Sequence, residues 1–295
     1  LAAWSHAPFA AEVEAKVVKE FAIKFGYSQL DSDGVFATGG NEANQTAVLC
    51  ALNNKYPNYA CNGLFGVTKR PIIFCSEEAH HSVHKAAKTA GLGYECVISI
   101  PVDDKLKLET KLLEKEIQAV IASGHDPLMV VGTAGTTGAG TIDDLVRIGE
   151  ISKMYNIWFH VDAAYGGGAI LSTKLKKKIK GIELSNSITF DAHKWMSIPM
   201  GASIFLTSNP HILTQTFSIS TEYMPKDADG LEIVDPFSHS IQWSRRFVGL
   251  KVYLSLLFYG WDGYDQVISN QSVMGDLLRQ KLINNGWSIM NNSAL

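Results

Sequence analysis

The stretch His160-Val161-Asp162-Ala163-Ala164-Tyr165, followed along the chain by Asp191-Ala192-His193-Lys194, decides the fold of this sequence. Each stretch lies at the end of a run that is typical of a buried strand, at residues 157–161 and 187–190. A carboxylate that a buried strand carries to its end needs a cationic or hydrogen-bond-donating partner. The pattern therefore predicts that Asp162 and an amine, Lys194, lie at one edge of a sheet.

Strands and helices alternate over most of the chain, which predicts an α/β fold with a mostly parallel sheet covered on both faces. Residues 214–237 lack periodicity and are predicted to form a long functional or mobile loop. A further strand is expected to begin at residues 287–290. The predicted strands are residues 35–38, 71–75, 95–100, 128–132, 157–161, 187–190 and 202–206. The predicted helices are residues 10–25, 42–54, 82–90, 109–123, 143–155, 241–259 and 263–284.

Composition excludes several classes of protein. The 295 residues are 46% hydrophobic and 19% charged, which fits one large α/β core. A formal charge of -3 argues against nucleic acid as the main partner. The longest apolar stretches are too short to span a membrane, so no membrane association is expected. The basic run at residues 174–180 is predicted to be the solvated face of a short helix.

The cysteines and the first residues bear on the compartment. Cys50, Cys61, Cys75 and Cys96 are widely spaced without a C-x-x-C pair, which predicts buried free thiols in a reducing, cytoplasmic environment. Residues 1–6 have neither an initiator methionine nor a signal-peptide pattern. We therefore expect a fragment of a longer protein.

A phosphate site is the first candidate for chemistry. Thr38-Gly39-Gly40-Asn41 connects a predicted strand to a helix, so backbone N–H groups and the positive end of the helix converge, with Asn41 placed to cap it. An anion such as phosphate would fit there. An ordinary tight turn with a capped helix is the alternative, since the spacing matches neither of the common nucleotide-binding motifs.

Two further loops follow predicted strands. His80, in Ala79-His80-His81-Ser82-Val83-His84, could stack on a flat ring and exchange a proton. The pair His80 and His84 lacks the glutamate of H-E-x-x-H, so no metal site is expected, and histidines without function at a helix start remain the alternative. Residues 132–140 combine small residues with threonines, which permits a ligand to approach closely, although a flexible connection would look the same.

All of these segments fall at carboxyl ends of predicted strands, where ligands of open α/β sheets bind. A single site explains them together. An amine that can form an imine with an aldehyde, and a carboxylate that can hold a heteroaromatic nitrogen protonated, are what pyridoxal 5'-phosphate chemistry requires. The sequence therefore predicts a site for this cofactor.

The chain resembles the group II pyridoxal-phosphate-dependent amino-acid decarboxylases. The resemblance rests on residues 160–165 and 191–195, with further matches at residues 39–44, 79–80 and 244–247. It implies fold type I, a mostly parallel seven-stranded sheet flanked by helices. It also implies a large cofactor-binding domain at residues 1–258, with a mobile catalytic loop at about 214–237, and the start of a small carboxyl-terminal domain at residues 259–295. Members are longer at both ends and form homodimers with the active site at the subunit interface.

The resemblance implies a role for each matching residue near the cofactor ring. Lys194 would form the internal aldimine, and Asp162 would keep the pyridine nitrogen protonated. His80 would stack on one face of the ring and Ala164 would lie against the other. Thr137 would sit close to the ring or to the substrate carboxylate.

The resemblance also implies roles around the phosphate and the reacting carbon. Gly40, Asn41 and His193 would surround the phosphate, with Asp191 assisting. Asn41 stands where many members carry Ser or Thr, so an amide would replace a hydroxyl contact. Tyr223, in the predicted loop, would protonate the α-carbon once carbon dioxide has left.

Together these roles imply α-decarboxylation of an L-amino acid to the amine and carbon dioxide through a quinonoid intermediate. The nearest alternative is an aldehyde synthase that decarboxylates and oxidatively deaminates its substrate, and Tyr223 favours the decarboxylase. A non-catalytic paralogue is the other alternative, against which the full set of matching residues argues. Ser244 stands where plant aromatic decarboxylases for phenolic substrates carry Ser, which hints at a tyrosine-like substrate.

Overall fold

A seven-stranded sheet forms the centre of the fold. The computed structural model of the chain describes residues 1–219, 233–291, 293 and 295. The strands are β1 (Asp33–Ala37), β2 (Pro71–Ser76), β3 (Val97–Ile100), β4 (Asp126–Thr133), β5 (Trp158–Asp162), β6 (Ser187–Asp191) and β7 (Ser203–Thr207). Their order is β1-β7-β6-β5-β4-β2-β3, and β7 pairs antiparallel with both of its neighbours while the other pairs are parallel. All strands except β7 therefore run in one direction and end at one edge.

Helices cover the sheet. They are α1 (Pro8–Lys24), α2 (Gly40–Lys55), α3 (Tyr59–Asn62), α4 (Ser82–Thr89), α5 (Thr110–Ala122), α6 (Leu145–Met154), α7 (Ile212–Phe217) and α8 (Gly249–Asn284). Strands β2, β5, β6 and β7 are buried along their whole length, as a sheet with helices on both faces requires. The α/β class and the seven-stranded, mostly parallel sheet predicted from the sequence are confirmed.

Two predicted elements were wrong, and both errors have a tertiary cause. The helix predicted at residues 241–259 begins only at Gly249, because the backbone of Arg245 instead pairs with Leu1 in both directions. No strand forms at residues 287–290, where Trp287 is exposed and no neighbouring strand offers a partner among the described residues. The break predicted between the last two helices lies at Gly260, whose φ of 63° and ψ of 179° interrupt α8.

The remaining sequence features fall on short or surface elements. The start of the predicted loop at residues 214–237 continues helix α7 as far as Phe217, and residues 220–232 lie outside the described residues. The basic run carries a single 3-10 turn, Lys176–Ile179. Cys50, Cys75 and Cys96 are buried free thiols, whereas Cys61 is exposed. Among the described residues, no helix is both long enough and apolar enough to cross a membrane.

Candidate active site

A cleft lies at the edge of the sheet where β1, β2, β4, β5 and β6 end. It contains about 500 Å³ of empty space, part of which is open to solvent. The cleft is lined by Gly40, Asn41, Asn44, His80, Ser82, Thr133, Gly135, Thr137, Asp162, Ala164, Tyr165, Asp191 and Lys194. The structure thus brings together all of the candidate site residues except His193, which does not line the cleft, and Tyr223, which lies outside the described residues.

Asp162 is the buried acid of the cleft. It ends β5, whose five residues are all buried, and it is only 7% exposed. One carboxylate oxygen accepts a hydrogen bond from Asn44 Nδ2 at 2.8 Å, and the other accepts one from the Ala164 amide at 3.1 Å. Both donors are neutral. Because a buried carboxylate is stabilised by a nearby positive charge, Asp162 favours a cation inside the cleft.

A polar network lies behind Asp162. Asn44 Oδ1 accepts a hydrogen bond from Thr189 Oγ1 at 2.7 Å and lies 3.0 Å from His160 Nε2. The other ring nitrogen of His160 lies 2.8 Å from Ser187 Oγ. Burial lowers the pKa of His160 to about 4, although the charge of Asp162 opposes this shift. His160 is therefore a neutral imidazole at physiological pH.

His80 borders the open side of the cleft. Its Nδ1 lies 2.8 Å from Ser82 Oγ and accepts a hydrogen bond from the Ser82 amide at 3.2 Å. Ser82 Oγ in turn accepts a hydrogen bond from Asn44 Nδ2 at 2.8 Å. Because Nδ1 is an acceptor, the neutral ring carries its proton on Nε2. The imidazole is thus held by its inner nitrogen and leaves its face and Nε2 for a ligand.

The start of α2 provides an anion site. The helix begins at Gly40, and the amides of Gly40 and Asn41 form no hydrogen bond among the described residues. Unpaired amides at a helix amino terminus attract a phosphate or carboxylate. The prediction that Asn41 caps the helix was wrong, because the N-cap is Gly39 and Asn41 lies within the first turn. The Glu42 side chain accepts hydrogen bonds from the amide and the hydroxyl of Thr38 instead.

Lys194 lies across the cleft, three residues beyond the end of β6. Its Nζ is 3.2 Å from a carboxylate oxygen of the buried Asp191, while about 42% of its side chain is exposed. Asp191 also accepts a hydrogen bond from Ser203 Oγ. His193 does not line the cleft, and its Nδ1 lies 3.1 Å from the Ala202 carbonyl oxygen while its Nε2 lies 3.7 Å from Asp191. The amine is therefore held by an ion pair but remains accessible.

The loop after β4 closes the floor of the cleft. Gly135 has a φ of 92°, and an added Cβ would lie 2.9 Å from the Gly166 amide, so only glycine fits there. The Thr133 amide donates to Asp143, which also accepts a hydrogen bond from the Leu108 amide. Burial raises the pKa of Asp143 to about 6. This carboxyl group anchors the loop without entering the cleft.

Five residues that line the cleft were not singled out from the sequence as site residues. They are Asn44, Ser82, Thr133, Gly135 and Tyr165. Asn44 could have been predicted to line the cleft, since residues four apart on a helix lie on the same face and Gly40 is a candidate site residue. Ser82 carried no such signal, because its partner Asn44 is 38 positions away in the sequence.

The side chains present fit pyridoxal phosphate. The amides at the start of α2 suit its phosphate, the buried carboxylate of Asp162 suits a protonated ring nitrogen, and the accessible amine of Lys194 suits its aldehyde. Gly40 leaves the approach to the helix open, since an added Cβ would lie 3.1 Å from Asp191 and 3.4 Å from Ala164. The cleft thus offers a complementary group for the phosphate, the ring nitrogen and the aldehyde of the cofactor.

Comparison with known proteins points to the same chemistry. A family model described as the pyridoxal-dependent decarboxylase conserved domain matches residues 1–291. The chain is 34% identical over 264 residues to an L-aspartate decarboxylase of Metarhizium robertsii, covering 90% of this chain and 52% of that protein. It is 30% identical over 275 residues to an aromatic-L-amino-acid decarboxylase of Bacillus atrophaeus, covering 93% and 55%.

A solved structure shares the fold closely. The crystal structure of mouse CSAD in apo form superposes with a TM-score of 0.90 at 27% identity, covering 96% of this chain and 58% of that chain. The chain spans about half the length of the curated relatives it matches.

Proposed function

Because the chain belongs to the pyridoxal-dependent decarboxylase family, we propose that it carries out the α-decarboxylation of an L-amino acid, which releases the amine and carbon dioxide. The cofactor of this family is pyridoxal phosphate, which when bound supplies a sink for the electron pair of the broken bond. One observation carries the proposal. The buried Asp162, which only neutral groups satisfy, faces the same cleft as the amine of Lys194.

In this proposal the Lys194 amine, which remains accessible, would hold the cofactor through its aldehyde. Asp162 would hold a proton on the ring nitrogen. His80 and Ala164 would lie against opposite faces of the ring and orient its plane. That plane decides the reaction, because the bond that breaks must stand perpendicular to the ring.

Around the phosphate, we assign the binding contacts to the amides of Gly40 and Asn41, whereas Thr137 is assigned a place close to the ring or to the substrate carboxylate. Asp191 has a different role in this proposal. Its carboxylate would repel a phosphate but already pairs with Lys194 at 3.2 Å, so it orients the amine. His193 supports Asp191 from behind, at 3.7 Å.

The proposal extends to features outside the described geometry. Tyr223, which lies outside the described residues, is assigned as the general acid that would supply the proton to the α-carbon. The division at residues 258 and 259, the homodimer and the cytoplasmic location belong to the same proposal. The two relatives are named for aspartate and for aromatic amino acids, whose side chains differ in charge, so the substrate class is proposed only as an L-amino acid.

Substitution of the amine tests the function. With Lys194→Ala in the full-length protein, we expect loss of the visible absorption of bound cofactor, of borohydride-stable attachment of the cofactor, and of amine release across the twenty amino acids. Lys177→Ala, at an exposed lysine of the 3-10 turn Lys176–Ile179, is the matched control and should retain all three.

The products decide between the alternatives. Equal amounts of amine and carbon dioxide support the decarboxylase, whereas aldehyde and peroxide would indicate the aldehyde synthase. Cofactor attachment or amine release that survives Lys194→Ala would refute the proposal.

A further inference from the structure

We propose that Asn44 is a positioning residue of this site, which holds the Asp162 carboxylate in place and aimed into the cleft. The same amide fixes where the protons lie on His160 and, through Ser82, on His80. This inference rests on the proposed function and deepens it, since it names the group that positions Asp162.

The orientation of the Asn44 amide follows from its neighbours. Nδ2 lies 2.8 Å from Asp162 and 2.8 Å from Ser82 Oγ, while Oδ1 lies 2.7 Å from Thr189 Oγ1 and 3.0 Å from His160 Nε2. The reversed amide would place its carbonyl oxygen against the carboxylate, which is repulsive. Both N–H groups and both lone pairs of the amide are therefore used in a single arrangement.

This arrangement determines the tautomer of His160. Because Nε2 faces the carbonyl oxygen of Asn44, that nitrogen must carry the proton. Nδ1 is then an acceptor for the hydroxyl of Ser187, whose oxygen accepts a hydrogen bond from Trp158 Nε1 at 2.9 Å. The ring is fully satisfied while neutral, and burial opposes its protonation.

Because His160 is neutral, the negative charge of Asp162 is not paired with its imidazole and remains available to a cation in the cleft. If the imidazole were protonated, it would serve as the cation for the adjacent carboxylate, and the cleft would lose its negative site. Asn44 lies between the two and contacts each of them, so it transmits hydrogen bonds without transferring a charge. The remaining titratable groups that line the cleft are His80, Tyr165 and the Asp191–Lys194 ion pair.

The position of Asn44 supports a role in the site. It is 3% exposed on α2 among the buried, apolar Ala43, Ala47 and Val48. A buried amide costs free energy unless all of its hydrogen bonds are made, and asparagine is a poor helix former. An apolar residue would serve packing at least as well. The amide is explained by the groups it holds in the cleft.

Asn44→Asp tests the inference, because it replaces the donor with a second carboxylate against Asp162. Two carboxylates this close share a proton, which raises the pKa of the pair. We expect the apo-protein to lose stability relative to the wild type as the pH rises from about 5 to about 8. We also expect cofactor affinity at about pH 7 to fall at least tenfold, roughly the effect of losing a charged hydrogen bond. Chemical denaturation and equilibrium dialysis measure the two effects.

Asn53→Asp is the matched control. It makes the same change on the same helix, where the side chain's one hydrogen bond among the described residues is to the Leu49 carbonyl oxygen. We expect cofactor affinity within about twofold of the wild type and no comparable pH trend. Asn44→Ala is the second variant, which removes both donors without adding a charge. It should lower cofactor affinity about tenfold, and its stability should change with pH in the same direction as that of Asn44→Asp but by less, because no second carboxylate is added.

Two results would overturn the inference. One is an Asn44→Asp protein with the affinity and the pH profile of the Asn53→Asp control. The other, which applies if Asn44→Asp does not fold, is an Asn44→Ala protein with wild-type affinity. A wild-type protein that binds no cofactor would instead defeat the proposed function, while the pH profile of the apo-protein would still test the contact between Asn44 and Asp162.

Discussion

Among single residues, His160 has the most strongly perturbed chemistry next to the cleft. It is 1% exposed, and its ring is held by Ser187 on one side and Asn44 on the other. Burial lowers its pKa from 6.5 to about 4. The folded protein therefore binds fewer protons than the unfolded chain between these pH values, so stability is lost as the pH falls through this window.

His160→Gln should remove this pH dependence. At about pH 7 the variant should be less stable than the wild type by about 1–3 kcal/mol, since hydrogen bonds of Ser187 and Asn44 are disturbed. As the pH falls from 6.5 to about 4, the free energy of unfolding of the wild type should fall by on the order of 3 kcal/mol more than that of the variant. The difference in stability between the two proteins should therefore narrow. Urea denaturation at a series of pH values measures it.

The same change at the exposed His125 provides the control for this series. The difference in free energy of unfolding between His125→Gln and the wild type should stay nearly constant with pH. A gap between wild type and His160→Gln that stays constant or widens towards acid pH would contradict the account of His160.

For single residues, the sequence predicted the charged groups of the cleft better than the side chains that hydrogen-bond to them. Asp162 and Lys194 could be located because each follows a run typical of a buried strand. Asn44 could not be linked to Asp162, since 118 positions separate them and only the folded sheet brings them together. His193 illustrates the converse, because its motif predicts a place in the site but its ring turns towards Ala202.

At the scale of elements, helix α8 shows how one residue can divide a helix. Gly260 has a φ of 63° and a ψ of 179°, a conformation that is essentially restricted to glycine. Beyond its own chain neighbours and the adjacent helix backbone, no atom of the described residues lies within 4 Å of a Cβ added there. A substitution at Gly260 therefore tests backbone strain without a steric clash.

Gly260→Ala and Gly275→Ala should change stability in opposite directions. The first should destabilise the protein by about 1–3 kcal/mol through backbone strain. Gly275 lies in the same helix, is not at positive φ and also has no atom within 4 Å of an added Cβ, so alanine there should stabilise by about 0.5–1 kcal/mol. Thermal unfolding of both variants measures the effects, and changes of the same sign would contradict this interpretation.

The elements that the sequence predicted correctly are those whose local hydrophobic pattern is sufficient to specify the secondary structure. Strands β5 and β6 are short buried runs that any covered parallel sheet requires. Residues 241–248 have an apolar pattern compatible with a helix, yet they are irregular in the structure, where the backbone of Arg245 pairs with Leu1. Residues 287–290 have strand-forming composition, but the part of the chain that the structure describes offers them no partner strand. Both elements were predicted wrongly because their structure depends on contacts between residues that are distant in sequence.

At the scale of the whole molecule, α8 exposes many large apolar side chains. Between 42% and 82% of the surface of each is accessible in the described structure. They are Leu254, Leu257, Phe258, Tyr259, Val273, Met274, Leu277, Leu278 and Ile283. Apolar surface of this extent marks an interaction site, which agrees with the proposed homodimer.

Leu278→Glu should weaken self-association. The wild-type chain is expected to sediment as a dimer, and a charge at a position that is 59% exposed in one chain should weaken the dimer at least about tenfold if a partner covers it. Gln271→Glu adds the same charge at an exposed polar position of α8 and serves as the control. A wild-type chain that sediments as a monomer at every concentration would refute the homodimer.

The convergence of five strand ends on one cleft has a consequence for the life of the chain. Groups between Gly40 and Lys194 meet only after β1, β2, β4, β5 and β6 have taken their places. We therefore expect that a nascent or misassembled polypeptide does not bind pyridoxal phosphate, so binding of this compound reports that the sheet is complete. Supply of pyridoxal phosphate should then act as a chemical chaperone, since a ligand that binds only the folded state shifts the population towards that state.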